Sequence, residues 1–138
     1  MLKVEESITL NAPAEKVWET IGEFGGLADW HPAAVACTTS EDGGDVIRTI
    51  AIPGGGSLIE KLEALSSKQF SMTYSIVDGP LPVANYRSTL KLERNGDEAC
   101  KAVWSGEFNA SGADDEAAEA VIRGIYTSGL DALKKRFG

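Results

Sequence analysis

The chain has 138 residues, with 21 Asp and Glu against 13 Lys and Arg, a single His and a formal net charge of −8. That length suits one domain spanning residues 1–138, with a core large enough to dispense with disulfides or metal; the lone, widely spaced pair Cys37 and Cys100 predicts two reduced thiols. The acidic balance and scattered basic residues argue against nucleic acid and anionic lipid as partners. With no signal-peptide core, lipidation signature or bilayer-length apolar run, membrane insertion is not expected and a cytoplasmic location is the default.

In chain order, Leu2 to Leu10 alternates polar and apolar residues and predicts a first strand, with a bulge at Glu5-Glu6. Asn11-Ala12-Pro13-Ala14-Glu15 opens a helix, with Asn11 or Ala12 near the cap and Pro13 in the first turn. Val17, Trp18, Ile21 and Phe24 follow at helical spacing. Gly25-Gly26 ends that helix, and Leu27 to His31 makes a short second one, stopped by Pro32.

From Ala34 the pattern changes to strands separated by turn chemistry. Strands are expected near Val35 to Thr39, Val46 to Ile52, Ser57 to Leu65, Phe70 to Val77, Val83 to Glu93 and Ala99 to Asn109. The turns are Glu41 to Gly44, Pro53 to Gly56, Ser66 to Lys68, Asp78 to Pro82 and Arg94 to Asp97. Connections this short make neighbouring strands antiparallel. Alternation assigns one face to Val46, Arg48, Ile50, Leu58, Glu60, Leu62, Phe70, Met72, Tyr74, Ile76, Tyr86, Ser88, Leu90, Leu92, Ala102, Trp104, Gly106 and Phe108. The opposite face carries Thr49, Lys61, Glu63, Thr73, Arg87, Lys91, Lys101 and Glu107, which belong in water.

Asp114 to Phe137 predicts one long amphipathic helix. Ala118, Val121, Ile122, Ile125, Ala132 and Leu133 form its apolar face, acidic residues crowd its start, and Lys134, Lys135 and Arg136 its end, as the helix dipole favours. Gly124, Ser128 and Gly129 lie on or beside that face, although an interior glycine costs about 1 kcal/mol against alanine. They leave space either for close helix-to-sheet packing or for a ligand cavity. The expected fold is α+β: a strand, two short helices, six strands, and a long helix covering one face of a curved sheet.

With this topology the chain resembles the START-like helix-grip (SRPBCC) superfamily, most closely its polyketide cyclase/dehydrase-like branch. The resemblance rests on Ala12-Pro13-Ala14-Glu15-Lys16-Val17-Trp18, Phe24 to Pro32, Leu58-Ile59-Glu60-Lys61-Leu62, Tyr74-Ser75-Ile76, Pro80-Leu81-Pro82-Val83, Trp104 and the last helix, in that order along nearly the whole chain. It implies a seven-stranded antiparallel sheet gripping the C-terminal helix around a cavity for hydrophobic or amphipathic small molecules. Its members include carriers, receptors and aromatase/cyclases, so the fold narrows the ligand class without choosing a reaction.

No hydrolase triad, Walker loop, dinucleotide fingerprint or metal-ligand cluster appears, so no cofactor or metal is expected. Pro53 to Gly56 reads as a hairpin turn or, alternatively, a mobile lid. His31, the one side chain that titrates near neutrality unshifted, either contacts a polar ligand group beside Trp30 or acts as a general acid/base, or else it bonds backbone at a helix end before Pro32. If Pro53 to Gly56 closes a hairpin, Arg48 and Glu60 face each other on the inner surface. Either they line the cavity, with Arg48 offered to a carboxylate or enolate oxygen and Glu60 to a hydroxyl or as a base, or they form a structural ion pair. Tyr74, Tyr86 and Trp104 are large inward residues whose polar atoms need partners. The candidate binding set is thus Trp30, His31, Arg48, Glu60, Tyr74, Tyr86, Trp104, Gly124 and Ser128, with Arg48, Glu60 and His31 the catalytic candidates. The expected partner is a small hydrophobic or aromatic molecule held by a monomer or homodimer. It is bound for a cyclase/dehydrase-like reaction or by a non-catalytic carrier or sensor; a collapsed cavity would instead leave an interaction domain.

Overall fold

A computed structural model describes all residues, Met1–Gly138. The elements are β1 (Leu2–Leu10), α1 (Ala14–Ile21), a 3₁₀ turn (Phe24–Asp29), β2 (Ala36–Asp42), β3 (Asp45–Ala51), β4 (Ser57–Ser66), β5 (Ser71–Asp78), β6 (Val83–Arg94), β7 (Cys100–Ala110) and α2 (Asp115–Phe137). The strands form one seven-stranded antiparallel sheet in the order β1-β7-β6-β5-β4-β3-β2. This is the helix-grip arrangement.

Turn chemistry sets the register. Gly43 and Gly44, at φ of 59° and 92°, supply the left-handed pair that a two-residue hairpin between Asp42 and Asp45 requires. Glu41 and Asp42 therefore belong to β2 rather than to the turn. Gly54, Gly55 and Gly56 close the β3–β4 hairpin with Ala51 opposite Ser57, and this register sets Arg48 directly across from Glu60. The inner face follows the alternation: Arg48, Ile50, Leu58, Glu60, Met72, Tyr74, Tyr86, Ser88, Leu90, Leu92, Ala102, Trp104 and Phe108 are all buried.

Several expectations are corrected. The first strand carries no bulge: β1 pairs with β7 without interruption from Leu2 opposite Phe108 to Leu10 opposite Cys100. Glu6 thus takes an inner-face position and is met there by Arg123 of α2, an ion pair that replaces the slip. The irregularities lie instead in β4, and in β6, where Asn85 adopts a left-handed φ of 55°. Pro13 is itself the N-cap of α1, with extended backbone and no side-chain cap bond, so the helix begins one residue later than expected. Phe70 is not on the inner strand surface. It ends a turn at φ 52° and sets its ring edge-on against Trp18, with centroids 6.0 Å apart.

The ends of α2 are specified as read. Asp114 Oδ1 accepts the Ala117 N–H at 2.7 Å, acidic residues fill the first turn, and Lys134, Lys135 and Arg136 fill the last. Lys134 Nζ also donates to the Thr9 carbonyl, and the Asn11 N–H to the Gly138 carbonyl, fastening the helix end to the end of β1. The buried stripe differs from expectation, comprising Ala118, Ile122, Tyr126, Gly129, Leu130 and Leu133. Val121 is exposed, and Gly124 points away from the sheet.

The close approach is at Gly129. A Cβ there would lie 2.7 Å from both His31 Cδ2 and Trp104 Cζ3, whereas one at Gly124 would meet nothing. We predict that Gly129→Ala destabilises the fold by about 1–3 kcal/mol through overpacking. Gly124→Ala should stabilise it by about 1 kcal/mol through helix propensity alone. Urea denaturation of the two variants reads both signs.

Candidate functional site

The helix leans on one side of the sheet, against β1 and β7. Its seat is Tyr126, whose ring stacks on Trp104 with centroids 4.7 Å apart and planes 14° from parallel. The Tyr126 hydroxyl projects over β7 where a Cβ on Gly106 would collide with it, so that glycine is required for the stack. Toward β3, β4 and β5 the space between helix and sheet is taken partly by the segment after the 3₁₀ turn. What remains is a cavity of about 70 Å³. Leu27, Ile50 and Leu58 line its wall, the half-buried Ile52, Ile76, Leu81 and Ile125 its outer part, and Arg48, Glu60, Tyr74 and Tyr86 give it a polar floor.

Arg48 and Glu60 are both almost completely buried. Arg48 Nε and Nη2 lie 2.8 Å and 2.7 Å from the same oxygen, Glu60 Oε1, and Nη1 donates to the Phe24 carbonyl at 3.0 Å. The guanidinium is held between the Phe24 and Tyr74 rings, 4.2 Å and 4.8 Å from their centroids. Cation–π contact thereby replaces part of the lost hydration. Glu60 Oε2 takes no protein hydrogen bond and opens on the cavity. Burial pushes the Glu60 carboxyl above the usual range, against the pull of the adjacent Arg48 charge.

Behind the ion pair lies a buried hydroxyl network. Trp104 Nε1 donates to Tyr74 Oη at 3.0 Å and Ser88 Oγ at 3.1 Å; Ser88 Oγ donates to the Ser105 carbonyl at 2.9 Å. Tyr126 Oη lies 2.8 Å from Ser88 Oγ and 2.5 Å from Tyr86 Oη. Desolvation holds all three phenols above their ordinary range, Tyr74 to about 12. They are protonated donors at neutral pH. Tyr126 is the residue that sequence reasoning missed, although it stands four residues after Ile122 and four before Leu130 on the buried stripe.

His31 is buried with both ring nitrogens committed to backbone. Nδ1 accepts the Ala33 N–H at 3.1 Å, which places the proton on Nε2, and Nε2 donates to the Ile125 carbonyl at 2.9 Å. The imidazole edge touches the cavity, but it has no nitrogen left for a ligand. Desolvation lowers its pKa, with the Arg48 charge adding to that and the Ile125 bond opposing it.

The structure therefore brings together Arg48, Glu60, Tyr74, Tyr86, Trp104 and His31 at one cavity. It does not bring the others there. Trp30 packs behind, 5.8 Å from the Trp104 ring centroid and 5.6 Å from that of His31. Ser128 is half-buried outside the cavity lining, and Gly124 is exposed on the far side of α2, because the buried stripe runs through Ile122, Tyr126 and Gly129. Cys37 and Cys100 are unpaired, no group of three His, Cys, Asp or Glu side chains converges in metal-site geometry, and no helix is long and apolar enough to cross a membrane.

A family model described as polyketide cyclase / dehydrase and lipid transport matches residues 1–138. Among solved structures, the chain is similar to the protein XoxI from Bacillus cereus, at 36% identity over 99% of this chain and 96% of that one, with a TM-score of 0.94. Fold-level similarity extends to the Zhui aromatase/cyclase from Streptomyces sp. R1128, at 18% identity over 98% and 92% of the two chains, TM-score 0.80. It extends also to norcoclaurine synthase from Thalictrum flavum, solved with dopamine and hydroxybenzaldehyde, at 21% identity over 98% and 85%, TM-score 0.75. A search of curated proteins returned no match.

The buried neutral His31 predicts an acid-sensitive fold. Its folded pKa lies below the ordinary value of 6.5, so its contribution is complete above pH 6.5 and is lost as pH falls toward the folded value. Between pH 6.5 and that lower value this group gives stability a positive slope against pH, because the unfolded chain binds the proton more readily. Glu60, with a raised pKa, acts with the opposite sign from its ordinary value up to its folded one. Comparing wild type with His31→Gln, which keeps an amide N–H for the Ile125 carbonyl but does not titrate, isolates the histidine. The variant's pH–stability curve should lose that slope.

Proposed function

Because the chain belongs to the polyketide cyclase/dehydrase and lipid transport family, we propose that it binds a small hydrophobic or aromatic molecule by its polar end, between the sheet and α2. One observation carries this reading: Glu60 Oε2 has no protein partner although the carboxyl is buried and faces an apolar-walled cavity. Oε2 is reachable from the cavity rather than sealed in the core, so a hydroxyl or N–H from a ligand can take it. At about 70 Å³ the cavity has less than half the roughly 150 Å³ that admits benzene. The ligand's polar end sits at the floor, and its body displaces Leu81 and Ile125 at the outer part. A multi-ring polyketide would require wider opening, so the reading favours a one-ring or short-chain ligand.

Two versions of this function differ in what Glu60 does. In a carrier or sensor, Glu60 only accepts a hydrogen bond, and Arg48 serves to keep it charged. The closed hydrogen bonding of His31 and the commitment of Arg48 to Glu60 and Phe24 favour this version. In a cyclase/dehydrase-like enzyme, Glu60 Oε2 removes a proton from carbon beside a ligand carbonyl, and the Tyr74 O–H stabilises the resulting enolate oxygen. The raised carboxyl pKa supports that second version, since it strengthens the base.

Native mass spectrometry of the gently purified protein tests the binding they share. The expected result is a bound small molecule, absent from Ile125→Trp, whose indole fills the outer cavity while the melting temperature stays within a few degrees. An identical adduct profile for both proteins would place the ligand elsewhere.

A further inference from the structure

The hydroxyls at the cavity floor are not free to point either way. Ser88 has one hydroxyl proton, and it goes to the Ser105 carbonyl, which can only accept. Tyr126, 2.8 Å from Ser88 Oγ, must therefore donate to it. Tyr86, 2.5 Å from Tyr126 Oη, must in turn donate to Tyr126. Tyr86 has thus turned its proton away from the cavity it lines and presents only lone pairs there. Tyr74 is the complement: its oxygen takes the Trp104 indole N–H, and its own proton makes no protein hydrogen bond of ordinary length, with the Ser88 and Tyr86 hydroxyls beside it.

We propose that the chain Tyr86 to Tyr126 to Ser88 to the Ser105 carbonyl makes the cavity floor selective for a ligand whose buried end is a hydroxyl. Such a group accepts from Tyr74 and offers its one proton to the acceptors at the floor, the Tyr86 lone pairs and Glu60 Oε2, whereas a terminal ether or carbonyl oxygen faces them with lone pairs of its own. This rests on the binding reading above and specifies the ligand class for the same cavity. Reversing the chain to suit the wrong ligand requires Ser88 to leave the Ser105 carbonyl, and the loss of that bond sets the selectivity. Tyr126 acts here as a positioning residue, since it is not among the cavity-lining residues and works through Tyr86. The gap over Gly106, into which the Tyr126 hydroxyl fits, keeps the chain in place.

The test is NMR titration of the full chain with phenol and with anisole. Wild type should bind phenol about tenfold more tightly, the equivalent of one hydrogen bond. In Tyr126→Phe the Tyr86 proton loses its short-range acceptor and can turn to the ligand, so the phenol-to-anisole ratio should fall severalfold. Ser88→Ala, which frees the chain to reverse, should lower the ratio as well, and it carries the test alone if Tyr126→Phe does not fold. The size difference between the probes is common to all three proteins, and a merely structural role would weaken both ligands together without moving the ratio. Equal wild-type affinities, or a ratio unchanged in the folded variants, would overturn the selectivity while leaving the binding reading standing. Binding of neither probe by wild type would overturn both.

Discussion

Everything about the interior depends on how closely α2 can approach β7. Two residues without side chains set that distance. Gly106 admits the Tyr126 hydroxyl above the strand, and Gly129 admits the His31 and Trp104 rings against the helix. With those gaps, the Tyr126 ring lies flat on Trp104 and the helix is drawn to the β1/β7 side. A seven-stranded sheet is wider than one helix can cover, since a helix with side chains is only about 10–12 Å across and strands are spaced about 4.8 Å apart. The uncovered part, over β3 to β5, is where the cavity lies.

Into that gap the sheet projects polar groups that an ordinary core would avoid. Removing two ions from water costs several kcal/mol each, and a pair in this position is weak evidence for stability. Arg48 is nevertheless well accommodated, between two aromatic rings and with bonds to Glu60 and the Phe24 carbonyl. The unbalanced partner is Glu60, with one oxygen bonded and the other facing the cavity. The phenols beside it are equally asymmetric, one offering a proton and one offering lone pairs. The proposed ligand is the group that completes this arrangement.

The parts of this architecture that follow from period-two alternation were legible in the sequence. Inner-face residues from Arg48 to Phe108 could be assigned because strand periodicity leaves little choice of phase, and the Arg48–Glu60 pairing followed from a short glycine hairpin. The phase of α2 was harder. Its middle turns carry Gly124, Ser128 and Gly129, which contribute little hydrophobic contrast, and a small error in angle set Gly124 beside Gly129 on the inner face and put Val121 there in place of Tyr126. Phe70 was misplaced for a different reason: its left-handed backbone breaks the alternation, and a bulky aromatic is a poor advertisement for that conformation. The direction of the hydroxyl chain lay beyond sequence reasoning altogether, because it depends on one tertiary bond from Ser88 to a backbone carbonyl.

On the proposed reading, the polar floor is retained for a ligand and not for the fold. Measuring phenol affinity in the double variant Arg48→Met, Glu60→Leu tests it most directly. Replacing a buried ion pair by apolar residues of similar volume is commonly neutral or stabilising by about 1–4 kcal/mol, so the variant should fold. The expected result is a folded protein whose phenol affinity has dropped at least tenfold. A folded double variant that binds phenol as tightly as the parent would contradict it.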